Sequence, residues 1–161
     1  MLRLLCIALA FSITGCASRA YVTPVDGPRA TIKYRLVSPV PQASVFALAD
    51  GKCARRRWMG GLKGEPLPYE KLLNKPLDPA KAELSATIAA NRPFHTEVFM
   101  DISNVTYCGI SWTFQPDDAA SYEADVTYAG EKCDVKLYRI ELDSGVTPRR
   151  TELQSPPASC T

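Results

Sequence analysis

The chain has 161 residues, with 19 Lys and Arg against 17 Asp and Glu, for a formal charge of +2. That length suits one domain with a substantial core. So slight a charge lacks the strong basic field by which proteins hold nucleic acid, and gives no pull toward a strongly acidic partner. The single histidine, His95, and the wide spacing of the cysteines leave no zinc-ligand pattern and no thioredoxin-like redox motif.

Arg3 is the only charge before Arg19, and Leu4 to Ile13 is an apolar run. Its length suits the core of a signal peptide and falls well short of the roughly 20 residues of a bilayer-spanning helix. Ile13-Thr14-Gly15-Cys16 follows: a branched apolar residue, two small ones and a cysteine. This resembles the lipobox of bacterial lipoproteins. The resemblance implies a diacylglyceryl group on the Cys16 sulfur, cleavage after Gly15, and a further palmitate-type acyl chain on the new amino group. Ala17 stands where aspartate retains many lipoproteins in the inner membrane, which implies the periplasmic face of the outer membrane. One acyl chain holds a protein only marginally, at about 0.8 kcal/mol per buried methylene, whereas three make attachment effectively permanent. The expected divisions are a signal peptide (1–15), a lipidated N-terminus and tether (16–28), a β domain (29–143) and a C-terminal tail (144–161).

Behind the tether the two-residue period of half-buried strands begins. Thr31 to Leu36 alternates apolar and polar residues, and Pro39 and Pro41 stop it. Val45 to Ala49 is a second strand. Asp50-Gly51 is a hairpin signal, with Lys52 to Trp58 returning. Residues 59–79, rich in Gly and Pro, read as an irregular surface excursion of the kind that often carries function. Over residues 79–90 the pattern is mixed: strand is favoured for 84–90, while Asp78-Pro79 and the helix formers after it keep a helix open. Phe94 to Ile102 is a strand. Cys108, Ile110, Trp112 and Phe114 share one strand face. Pro116-Asp117-Asp118 turns the chain, and Tyr122, Ala124, Val126 and Tyr128 alternate again. The last strand opens with Cys133, Val135 and Leu137, and a phase change near Tyr138 suggests a bulge. Seven or eight short strands predict an all-β fold, a small antiparallel β-sandwich of Ig-like or transthyretin-like type. Ile32, Tyr34, Leu36, Ile110, Trp112, Phe114, Tyr122 and Val126 are its expected core. Cys108, Phe114-Gln115-Pro116, Tyr122 and Cys133 together resemble a pattern of uncharacterised proteobacterial lipoproteins, which implies the same fold and no activity.

Cys53, Cys108, Cys133 and Cys160 remain once Cys6 leaves with the signal and Cys16 is acylated. An even number in an oxidising compartment predicts two disulfides. Cys108 and Cys133 open strands whose alternate residues are apolar, so both face the core. That favours Cys108–Cys133 with Cys53–Cys160, against the open alternative of Cys53–Cys108 with Cys133–Cys160.

Chemistry has few places to reside. His95 shares a strand face with Glu97, Phe99 and Asp101. A His95–Glu97 acid–base pair is conceivable there, but the solvated face of a strand is the simpler reading. No nucleophile elbow is present. Asp117-Asp118 lacks the spaced ligands of a calcium loop and suits a turn. Asn104-Val105-Thr106 fits the glycosylation pattern, which carries no weight in a bacterium. Arg55-Arg56-Arg57-Trp58 is the most distinctive exposed run: guanidiniums for phosphate or carboxylate, an indole for stacking. In a strand, Arg55 and Arg57 would share a face with Arg56 opposite, which weakens the patch, and an edge strand charged against aggregation is the simpler reading of the run. The reading favoured is a non-enzymatic binding or structural lipoprotein of the cell envelope. It would touch the membrane through Cys16 and an envelope protein or glycan through Arg55, Arg57 and Trp58, with no catalytic residue, metal, cofactor or nucleic acid. The alternatives are a carrier of a small hydrophobic ligand and, less favoured, a cell-wall hydrolase.

Overall fold

A computed structural model describes residues 19–37, 42–49, 55–63, 83–103, 106–129, 131–141 and 148–154. Ten strands account for three quarters of them, and none of the described residues is in an α-helix. The strands are β1 (Arg19–Ala20), β2 (Arg29–Leu36), β3 (Gln42–Leu48), β4 (Arg56–Lys63) and β5 (Glu83–Ala89), followed by β6 (Phe94–Ser103), β7 (Thr106–Phe114), β8 (Ser121–Ala129), β9 (Lys132–Glu141) and β10 (Arg149–Leu153). They form two five-stranded sheets, ordered β1-β4-β3-β6-β7 (sheet A) and β10-β9-β8-β2-β5 (sheet B). The expected all-β sandwich is the architecture found.

Alternation places the core. The even residues of β2 and β8 turn inward from sheet B, and the odd residues of β3, the even residues of β6 and Trp112 of β7 face them from sheet A. Ile32, Tyr34, Val45, Val98, Met100, Val126 and Leu137 are fully buried, each contributing about 1.5–3 kcal/mol. Of the expected core residues, Ile110 and Phe114 are half-buried and the rest buried, because β7 is an edge strand of sheet A.

One polar chain crosses this interior. The Thr96 hydroxyl donates to the Phe46 carbonyl at 2.9 Å, so the Tyr34 hydroxyl, 2.9 Å away, must be the donor to Thr96. Tyr34 lies on β2 of sheet B, Thr96 and Phe46 on sheet A, and the bond therefore ties the sheets together. Burial pushes the Tyr34 phenol well above its ordinary range, because the phenolate would lose its hydration.

Several expectations need correction. The sandwich is not wholly antiparallel: β2 runs parallel to β8, and β1 to β4. β2 enters sheet B between β5, to which it is antiparallel, and β8, to which it is parallel, rather than pairing with its sequence neighbour. The returning strand begins at Arg56, with Arg55 in the bend before it, and continues through Lys63. Residues 59–63 therefore belong to a strand, not to the excursion. Gly60 makes this feasible: a Cβ there would stand 2.6 Å from Leu84 Cδ1 of β5, so the glycine lets the two sheets close along that flank. The register slips beside it, between Val45 and Phe46. The predicted bulge near Tyr138 is absent; β9 pairs with β8 in unbroken register. The phase change marks the end of the core. Arg139, on the inward parity, has passed the last apolar layer and ion-pairs with Asp117, while outward Tyr138 is covered by the Arg150 guanidinium, 4.0 Å above its ring. Residues 83–89 are strand, and the helix alternative fails there.

The sandwich also extends beyond residues 29–143. Arg19 and Ala20 pair with Arg57 and Trp58, and the Tyr21 hydroxyl donates to the Thr87 carbonyl at 3.0 Å, so part of the expected tether caps the β4–β5 flank. Part of the expected tail, β10, pairs with β9.

Candidate binding surfaces on sheet A

The outer faces of the two sheets differ in kind. On sheet B, Lys33 and Arg35 of β2, Glu83 of β5, Glu123 and Asp125 of β8 and Arg150 of β10 satisfy one another in a lattice of ion pairs at 2.7–3.8 Å. The carboxylates hold the Arg150 guanidinium above its ordinary range, with its hydrogen bond to Asp125 the largest cause. On sheet A the outer face carries rings. Phe99 of β6 stacks on Tyr107 of β7 with centroids 5.0 Å apart, and Phe46 of β3 lies beside Trp58 of β4 in register. Tyr107 is 68% exposed and Trp58 48%.

Between these rings lies the pair Arg56–Glu97. Arg56 Nη2 donates to Glu97 Oε1 at 2.8 Å and Nε stands 2.6 Å from Oε2, an ion pair with one hydrogen bond, with the guanidinium 5.9 Å from the centre of the Phe46 ring. Glu97 is 6% exposed although it points outward. Gly109 is its diagonal neighbour on β7.

The predicted residues fall as follows. Cys16, Cys53, Cys160 and Asn104 lie outside the described residues, and with them the Cys53–Cys160 pairing. Cys108 and Cys133 stand at disulfide distance, their Cα atoms 6.2 Å apart, within the range a bridge requires. They link the β7 edge of sheet A to β9 of sheet B. His95, Glu97 and Asp101 share the outer face as expected but turn to separate partners. His95 Nδ1 hydrogen-bonds Thr113 Oγ1 at 2.7 Å, Glu97 pairs with Arg56, and Asp101 accepts from Gln42. No His95–Glu97 pair forms. Asp118 does turn chemistry, accepting from the Arg29 and Ala119 amides at 2.9 and 3.0 Å. No group of three or more potential metal ligands gathers among the described residues.

The expected patch is divided. Arg57 and Trp58, as neighbours in a strand, point to opposite faces, and Arg55 is exposed in the bend before β4. Trp58 joins the ring-bearing face with Arg56. Arg57 instead lines a groove of about 490 Å³ at the lower end of the β1–β4 flank, with Tyr21, Arg92, Phe94 and His95. Burial raises the Tyr21 phenol, while the positive charges of Arg92 and Arg57 partly oppose the shift. Sequence reading placed Phe99 on the solvated face of its strand but missed Phe46 and Tyr107 as surface residues. Their signal was parity: they are the large apolar residues out of phase with the core-facing set.

No protein-family model, no curated protein and no solved structure matches the chain.

Proposed function

We propose that this chain is a lipoprotein of the cell envelope that acts by binding. A lipid on Cys16 would hold it at the periplasmic face of the outer membrane, and the outer face of sheet A would dock a protein partner there. The lipobox Ile13-Thr14-Gly15-Cys16 supports the anchoring. The observation that carries the binding role is the row Trp58, Phe46, Arg56, Phe99 and Tyr107 on an open sheet face, two of its rings largely exposed. Trp, Tyr and Arg are the residues that dominate the energetics of protein interfaces. A large exposed apolar patch is the usual mark of one. The outer face of sheet B, whose charges are consumed by one another, offers no comparable anchor. Oxidation in the periplasm would close Cys108–Cys133 and brace the edge strand of the docking sheet.

Photo-crosslinking amino acids placed in intact cells test this reading. Positions Gly61 and Tyr107 on sheet A should each yield a discrete adduct of the same mass, lost on Arg56→Ala with Trp58→Ala. Positions Thr31 and Ser85 on sheet B should not. Equal labelling from both faces, or none from sheet A, would contradict it.

A further inference from the structure

The short chain between the proposed anchor and β1 fixes which part of the sandwich meets the membrane. Two residues, Ala17 and Ser18, separate Cys16 from Arg19, and the three Cα-to-Cα steps between them reach at most about 11 Å. β1 is paired to β4 at Arg19↔Arg57 and Ala20↔Trp58, parallel to it. The anchored end is therefore the end of β4 that holds Arg56 and Arg57. The β5–β6 turn with Arg92 lies at the same end, since Ala47 of β3 pairs with both Arg57 of β4 and Thr96 near the start of β6. The long connection between Lys63 and Glu83 leaves from the opposite end.

Among the described residues, the groove at the anchored end is lined by two arginines and no carboxylate. Arg19 and Arg57 stand side by side in register, an arrangement that is destabilising without a counter-charge. Arg57 and Arg92 face one groove with His95 and the Tyr21 hydroxyl-bearing ring. None of these three arginines ion-pairs with another described residue, in contrast to Arg56, Arg35, Arg139 and Arg150. We infer that this groove docks on the headgroup phosphates of anionic membrane lipids, with Arg57 and Arg92 as the phosphate donors. The inference rests on the lipid-anchor reading. A guanidinium presents a planar fork to phosphate oxygens. The anchor keeps it within about 11 Å of the surface, comparable to the Debye length of roughly 8 Å at physiological salt, where a surface charge is still felt. Docking there would stand the sandwich on its β1–β4 end, leaving the ring-bearing face of sheet A upright and open to a partner.

The test uses the lipidated protein in vesicles of phosphatidylcholine alone or with one third phosphatidylglycerol, each carrying a headgroup-spin-labelled lipid that quenches nearby tryptophan. Trp58 follows Arg57 and is exposed, and Trp58→Phe supplies the background from buried Trp112. Trp58 quenching should rise in the anionic vesicles and fall back with Arg57→Gln and Arg92→Gln, by about fivefold per residue in the docked-to-undocked ratio. Flotation with the vesicles should stay unchanged, because the acyl chains hold it. Quenching that is equal in both vesicles, or indifferent to the two substitutions while the protein still floats, overturns the groove alone. Relief of quenching by inorganic phosphate at matched ionic strength, with no dependence on lipid charge, also overturns it by assigning the groove to a soluble anion. Failure to float overturns the anchor reading and this inference together.

Discussion

Replacing Thr96 by valine removes one hydroxyl from the only polar chain described across the sandwich, and the structure sets what that should cost. Thr96 is fully buried and uses its oxygen twice, donating to the Phe46 carbonyl and accepting from Tyr34. Valine matches its shape, so no cavity opens. The Tyr34 hydroxyl, itself fully buried, is left with only Met59 Sδ at 3.9 Å. Stranding that donor and losing the bond to Phe46 should together cost about 2–3 kcal/mol. Tyr34→Phe should cost about 1–1.5 kcal/mol, since Thr96 keeps its bond to Phe46. The double variant strands nothing on Tyr34, so its loss should fall about 1–2 kcal/mol short of the sum. Urea unfolding of the mature chain, followed by the fluorescence of Trp112, measures all three, because that ring lies 6.2 Å from Tyr34 in the same core. Additivity within about 0.5 kcal/mol would refute the coupled chain, as would a valine variant more stable than the parent.

Alkali should act through the same tyrosine. Its phenol titrates above the ordinary value near 10 when folded, so above about pH 10 the unfolded chain ionises first and stability falls as pH rises, by about 1.4 kcal/mol per unit for one proton. The contribution is fully present below that pH. Tyr34→Phe should flatten the slope between about pH 10 and 11; an unchanged slope in urea titrations would place the ionisation elsewhere. Replacing both Cys108 and Cys133 by serine should lower stability by up to about 3.5 kcal/mol, the chain-entropy value for a closed loop spanning their separation of 25 residues. A denaturation midpoint equal to the parent's would show that the bridge does not form. Ala119 holds a left-handed backbone at φ 57°, which costs a residue with a Cβ. Ala119→Gly should therefore raise the melting temperature by about 2–4 °C, and a fall would show that turn to be unstrained.

What could be read in the sequence was whatever alternation reports. β2, β7 and β8 bury one face each, so Ile32, Tyr34, Trp112, Tyr122 and Val126 stand out as a phase, and the inward aim of Cys108 and Cys133 follows from the same parity. The terminal strands β1 and β10 were illegible because they bury little. In β10 only Leu153 is even half-buried, and β1 has two exposed residues, so neither carries a period. Parallel pairing of β2 with β8 is a long-range choice between strands about 90 residues apart and leaves no local trace. In β4 one of the glycines that suggested a loop, Gly60, serves close contact between sheets. Arg55, Arg57 and Trp58 looked like one patch because neighbours in sequence were read together. The strand separates them, sending Trp58 to a ring-bearing face with Phe46 and Arg57 to a groove with Arg92, residues that nothing local connects.

The most direct test of the whole account is the mass of the mature amino terminus. Trypsin cutting after Arg19 releases a peptide that begins at the cleavage site. The account predicts Cys16-Ala17-Ser18-Arg19 carrying a diacylglyceryl group and an additional acyl chain, in protein taken from outer membranes. An amino terminus at any other residue, or an unacylated Cys16 in protein released with the soluble periplasm, would contradict it.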